Sequence, residues 1–210
     1  MNTIAVIDYG MGNLRSVAKA LAHVAEGERV VVTQDPRAIL RASRVVFPGV
    51  GAMRDCMKEL ARLDLIEAIK TCAQGRPFLG ICLGMQALFE FSEENEGTPG
   101  LGILPGKVRR FPEGLEEDGQ RLKIPHMGWN RVHFPAPHPL WEGIPPGSRF
   151  YFVHSYYVDT RPELAAGITH YGLDFASACA RDNLFAVQFH PEKSQRAGLT
   201  LLANFVRWEV

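Results

Sequence analysis

The sequence predicts an α/β fold: a single domain, residues 1–210, with a central, mostly parallel sheet flanked by helices and with antiparallel strands added to it. Three observations lead there. In the first eighty residues, short runs that are apolar throughout alternate with helical periodicity, as strands covered on both faces require. From Gly102 onward the texture changes to strand-like segments separated by turn residues, which points to mixed or antiparallel additions. A length of 210 residues with 46% hydrophobic content suits one compact core.

The elements follow in order. Residues Thr3–Asp8 (TIAVID) read as a buried strand ended by Tyr9-Gly10, and from Asn13 the recurrence of Leu14, Val17, Ala18 and Leu21 reads as a helix. Next come a strand over Arg29–Thr33, a helix capped by Asp35 with Pro36 at its first position, and a strand over Arg44–Phe47. Two helices are expected near Ala52–Leu60 and Leu65–Gln74, with Gly75 as terminator, before a fourth strand at Pro77–Ile81. The second half supplies ILPGKVRRF, RLKIPHMGWNRVHF, SRFYFVHSYYV, AAGITHYG and SACARDNLFAVQFH as strand-bearing stretches. The Pro-rich stretch Pro135–Pro146 holds Leu140, Trp141 and Ile144, so it reads as an ordered loop, not a hinge. A last helix is expected over Gln195–Trp208, with Leu199, Leu202, Phe205 and Val206 on one face. The run Ser92–Gly97 (SEENEG) reads as a solvated loop after a helix.

Charge and cysteine usage exclude several classes. Lys plus Arg and Asp plus Glu both total 23, so no bulk field draws nucleic acid or an anionic membrane. No apolar stretch approaches the roughly 20 residues that cross a bilayer. The four cysteines have no CxxC or CxxH spacing and no signal peptide precedes the first strand, which together read as a reduced, cytoplasmic protein.

The strongest chemical signal is Gly80-Ile81-Cys82-Leu83-Gly84 at a strand-to-helix junction. Glycines two residues either side of Cys82 allow the tight turn of a nucleophile elbow. There the dipole of the following helix would favour a thiolate, and the amide of Leu83 would point where a tetrahedral oxyanion forms. A cysteine in a parallel strand is more often a small buried hydrophobe, so a base is needed to decide. Phe189-His190-Pro191-Glu192 supplies one: His titrates near neutrality, and Glu192, two residues on in an extended segment, would reach and orient its ring. Cys82, His190 and Glu192 then have the composition of a nucleophile, base and orienting acid. Pro48-Gly49-Val50-Gly51 ends the third strand, where its backbone could supply a second oxyanion donor; a plain turn is the alternative.

Taken together, LGICLGMQ, PGVG and FHPE resemble the triad (class I) glutamine amidotransferases, whose fold is flavodoxin-like. VIDYGMGNLRSV, PHMGWN, YFVHSYY and QFHPEKS are similar to one branch, the glutaminase subunits of imidazole glycerol phosphate synthase, and the likeness covers essentially the whole chain. The resemblance implies glutamine hydrolysis with Cys82 as nucleophile, His190 as base and Glu192 as orienting acid. It implies Val50 and Leu83 as oxyanion donors, and Gly51, Gln86, His154, Ser155 and Tyr156 as glutamine contacts. Asn13, Pro125, Met127, Trp129 and Lys193 would face a (β/α)8-barrel cyclase subunit in a heterodimer; no metal and no cofactor are implied. Met53, where an aromatic often follows PGVGA, and Ala186, where Gly is usual, depart from the pattern beside the site.

Other candidates read blandly. Cys56, Cys72 and Cys179 suit ordinary packing, and His126, His133, His138 and His170 are too dispersed for zinc. Three competing functions remain: a docking subunit without catalysis, which would lack the nucleophile; a stand-alone cysteine hydrolase, which would lack the His-Pro-Glu pair; and the glutaminase of a different synthase, which would bind another partner and against which PHMGWN and HPEKS argue.

Overall fold

The computed structural model describes residues 2–210. The first half alternates as expected: β1 (Thr3–Ile7), α1 (Leu14–Val24), β2 (Arg29–Thr33), α2 (Pro36–Arg41), β3 (Arg44–Gly49), α3 (Met53–Arg62), α4 (Ile66–Cys72), β4 (Phe78–Cys82) and α5 (Leu83–Gln86). Asp35 caps α2 by accepting from the Arg37 N–H at 2.9 Å, and Pro36 occupies the first turn, where its missing N–H costs nothing. The helix expected to reach Gln74 stops at Cys72, and Gly75 stands in the turn beyond, donating to the Cys72 carbonyl.

The second half is strand-rich: β5 (Phe89–Ser92), β6 (Thr98–Pro99), β7 (Leu104–Arg110), β8 (Glu116–Glu117), β9 (Gln120–Arg121), β10 (His126–Arg131), β11 (Arg149–His154), β12 (Tyr156–Asp159), β13 (Ala165–His170), β14 (Asp174–Arg181) and β15 (Leu184–Val187), then α6 (Gln195–Arg207). The 11-stranded main sheet runs β2-β1-β3-β4-β15-β14-β12-β7-β5-β6, with β13 beside β14. The five strands from β2 to β15 are parallel, and β15 turns antiparallel to β14 on its other side. The C-terminal strand thus crosses back to the middle of the sheet, next to β4.

Successive side chains of each strand feed opposite faces. In β1, Ala5 and Ile7 pack with Ile39, Leu60 and Ile69 from α2, α3 and α4, whereas Ile4 and Val6 pack with Leu21 and Phe205 from α1 and α6. The second face also receives Phe150 and Phe152 from the two-stranded β10–β11 ribbon, and Trp141 from the Pro-rich loop, whose indole N–H donates to the Ala166 carbonyl at 2.9 Å. That loop is ordered, as its apolar residues require: Leu140, Trp141 and Ile144 are buried. Ala186 fits opposite Gly80, where an added Cβ would sit 3.2 Å from its own.

Candidate active site

Register brings the candidate residues together. Gly49 of β3 pairs with Cys82 of β4, and Ile81 pairs with Val187 of β15. Three adjacent parallel strands therefore end side by side, delivering Val50 from the first, Cys82 and Leu83 from the second, and Gln188 to His190 from the third to the carboxyl edge of the sheet, where open α/β sheets bind ligands. Cys82 sits at φ 55°, ψ −112°, backbone that a non-glycine residue adopts only when its surroundings impose it.

The helix behind the elbow is shorter than the sequence suggested. α5 is a single turn, and the chain then enters β5, with the Leu101 N–H bonded to the Ala87 carbonyl at 2.8 Å. A full helix dipole is therefore not what acts on Cys82. What remains is the set of first-turn N–H groups of α5, Leu83's among them, which have no acceptor inside the helix.

The His-Pro-Glu segment is also not extended. Pro191–Lys193 forms a 3-10 turn, and that turn, not strand alternation, folds Glu192 back so that its Oε1 meets His190 Nδ1 at 2.9 Å. Both side chains are almost fully buried, and His190 Nε2 and Glu192 Oε2 have no hydrogen-bond partner. Burial alone would push the His190 imidazolium down, but the facing Cys82 and the Glu192 carboxylate override it and raise His190 to about 10. The free Nε2 is thus a proton donor in waiting.

A cavity of about 330 Å³ opens over these groups, lined by Val50, Gly51, Cys82, Leu83, Gln86, Pro125, His154, Ser155, Tyr156 and His190, all of them singled out in the sequence. Gly51 is at φ 99°, against the Met11 side chain. Two lining residues were missed, Val153 and Glu94. The SEENEG stretch is a 3-10 turn after a strand, not a loop after a helix, and its Glu94 carboxylate accepts from the Met53 N–H at 2.8 Å while facing the cavity. Only its place between β5 and β6 gives Glu94 away.

His154, in the cavity wall, is one half of a buried histidine pair. His154 Nδ1 lies 2.8 Å from the Tyr156 carbonyl, and its Nε2 lies 2.9 Å from His126 Nδ1. Burial lowers His126 from 6.5 to about 4 and His154 to about 3, so both are neutral in the fold. Depressed histidine values mean that the unfolded chain takes up protons first: the stability the pair contributes is complete above pH 6.5 and is lost as pH falls toward 4. The loss grows steadily between pH 7 and 5, as the unfolded-chain histidines charge and the folded pair does not. Denaturant midpoints across that range check it, with a flatter acid limb expected in His126→Gln.

The outer face of β10 carries Met127 and Trp129, both exposed, and Trp129 meets the Tyr151 ring at 6.0 Å. Lys193 Nζ lies over the same Tyr151 ring at 5.9 Å. Pro125 connects this patch to the cavity mouth. Asn13 is at the start of α1, in the loop whose Met11 packs on Gly51. Cys56, Cys72 and Cys179 are buried, and burial pushes their thiols up, Cys56 and Cys179 to about 12, which makes them poor nucleophiles. No three His, Cys, Asp or Glu side chains among the described residues are grouped to hold a metal ion, and no described helix is long and apolar enough to cross a membrane.

The family model for class-I glutamine amidotransferases matches residues 5–208. The imidazole glycerol phosphate synthase subunit HisH of Thiobacillus denitrificans is 64% identical over 98% of this chain and 91% of its own length. Its counterpart from Aromatoleum aromaticum is 61% identical over 99% of both chains. Among solved structures, PurLQS from Thermotoga maritima superposes with a TM-score of 0.72 at 16% identity over 98% of both chains. A glutamine amidotransferase from the same organism gives 0.61 at 18%, over 93% of this chain and 78% of that one; these two likenesses speak to the fold. With a family match over residues 5–208 and relatives this close over at least 91% of their length, the chain belongs to the class-I glutamine amidotransferases, in the group of imidazole glycerol phosphate synthase HisH subunits.

Proposed function

We propose that this chain hydrolyses the side-chain amide of glutamine through Cys82, His190 and Glu192 and passes the ammonia to a (β/α)8-barrel cyclase subunit. The observation that carries the reading is the convergence of a strained cysteine and a carboxylate-held histidine on one cavity. A primary amide is a weak electrophile, so the Cys82 thiolate attacks its carbonyl carbon and the electron pair moves to oxygen. Backbone N–H groups at Leu83 and Val50 receive that oxyanion. His190, charged below about pH 10, gives its Nε2 proton to the departing nitrogen, and ammonia leaves. Neutral His190 then takes a proton from water, whose hydroxide cleaves the thioester to glutamate and restores the thiolate–imidazolium pair. Glu192 keeps the proton on Nδ1, leaving Nε2 for the transfers.

The substrate's charged end also has partners. Glu94 offers a carboxylate to an ammonium group, and Ser155 and Tyr156 line the same cavity. Free ammonia would be protonated and lost in bulk water, so delivery needs a sealed junction. The Met127–Trp129–Tyr151–Lys193 patch beside the cavity mouth suits one, with Pro125 next to it in the chain and in the cavity lining, and Asn13 before α1 as a further contact.

The test is glutamate release from glutamine by the purified chain, alone and mixed with a histidine-pathway cyclase and its nucleotide substrate. Stimulation by that partner is expected; turnover indifferent to it would retain the hydrolysis and remove the assigned partner.

A further inference from the structure

The sulfur of Cys82 has a second neighbour that the triad does not use. Gln188 follows β15 and is fully buried, and its Nε2 lies 3.7 Å from Cys82 Sγ while its Oε1 lies 2.9 Å from Gln86 Nε2. Which end of each amide is nitrogen follows from an acceptor whose polarity is fixed. The Tyr156 carbonyl can only accept, so the Gln86 atom 3.1 Å from it is the NH2 group. That NH2 spends its two hydrogens on Tyr156 O and on Gln188, so the Gln188 atom facing it is oxygen. The other end of Gln188 is then a donor, aimed at sulfur. The same carbonyl fixes the histidines: His154 carries its proton on Nδ1, accepts at Nε2 from His126 Nδ1, and His126 Nε2 accepts from Asn130 Nδ2 at 3.3 Å.

We propose that Gln188 is a positioning residue for the nucleophile: its side-chain amide donates to the Cys82 thiolate, stabilising the charged form and fixing the direction of the sulfur. The single-turn α5 is a reason such a donor is needed, since one helical turn supplies little dipole. Gln86 acts behind it: with both N–H groups engaged inside the protein, it holds the Gln188 amide in its donating orientation, and only its oxygen is left for substrate. This rests on the reading of Cys82 as nucleophile.

The test is the pH dependence of Cys82 alkylation by iodoacetamide in the full chain, read from the mass of the Cys82 peptide, for wild type, Gln188→Met and Gln188→Glu. The ionisable groups around the wild-type sulfur are His190 with Glu192 behind it, Tyr9 beyond the end of β1, Glu94 in the cavity lining, and neutral His154; Gln188→Met leaves that set unchanged, and Gln188→Glu adds one carboxylate to it. Loss of a hydrogen bond to a charged group is expected to raise the midpoint by about one pH unit in Gln188→Met, and further in Gln188→Glu, with kcat falling more than KM rises. A midpoint equal to wild type in both folded variants overturns the proposal. Should neither variant fold, the Gln188 side-chain amide resonances of the wild type are expected to move as the thiol titrates and to lose that response in Cys82→Ala; resonances that ignore the titration overturn it equally. A wild-type Cys82 no more reactive at neutral pH than a free cysteine would remove the nucleophile reading itself, and this proposal with it.

Discussion

Replacing Cys82 by alanine is expected to lower glutamine turnover by about 10⁴-fold or more, the size of loss seen when one member of a nucleophile–base unit is removed. The change subtracts one sulfur from a left-handed backbone position held by the close approach of β3 to α5, so unfolding midpoints should stay near those of wild type. A second signature belongs to the same variant. The Cys82 charge is the first of the influences that raise His190, against a burial that lowers it. Without the sulfur, the His190 titration should fall from about 10 toward the ordinary imidazole range, which proton NMR of the ring reads directly. Loss of activity with an unmoved His190 would mean that the two groups do not act as a pair.

The largest effect on stability is expected from Gly84→Ala. A Cβ at Gly84 would stand 1.8 Å from the carbonyl oxygen of Phe47 and 2.8 Å from its carbon. These are backbone atoms of β3, which is hydrogen-bonded on both sides by β1 and β4 and cannot retreat. α5 must move instead, and it carries Leu83 and its junction with Cys82. Overpacking of this kind costs about 3 kcal/mol or more, and the elbow would lose its geometry along with its activity. Gly75, which has open space around it, is the control: Gly75→Ala should stay within about 0.5 kcal/mol of wild type. Equal denaturant midpoints for the two variants would show that the contact at Phe47 does not constrain the elbow.

Much of this was legible in the residues, for reasons that differ from place to place. The β1 to β4 alternation is visible because parallel strands covered on both faces must be apolar throughout, and helices between them must be amphipathic. The Cys82 elbow is visible because its glycines are forced by contacts as short as that of Gly84 on Phe47. The long crossover that returns β15 beside β4 is not visible, since nothing local in LFAV says which strand it joins. Glu94 escaped notice for a similar reason: a run of acidic residues resembles any solvated loop until β5 and β6 fold it over the cavity. Nor does Gln188 announce itself, because its role depends on a neighbour 106 positions away in the chain. The His-Pro-Glu pairing was foreseen with the wrong geometry, strand alternation standing in for a 3-10 turn that achieves the same approach.

The central claim, that Cys82 alone attacks a glutamine side chain in this cavity, is tested most directly by labelling with the glutamine analogue 6-diazo-5-oxo-L-norleucine, whose diazoketone alkylates the nucleophile that would attack the amide. The account predicts one adduct per chain, located on the Cys82 peptide, blocked by excess glutamine and absent from Cys82→Ala. An adduct on Cys56, Cys72 or Cys179, or glutamate release that continues after Cys82 is fully labelled, would contradict it.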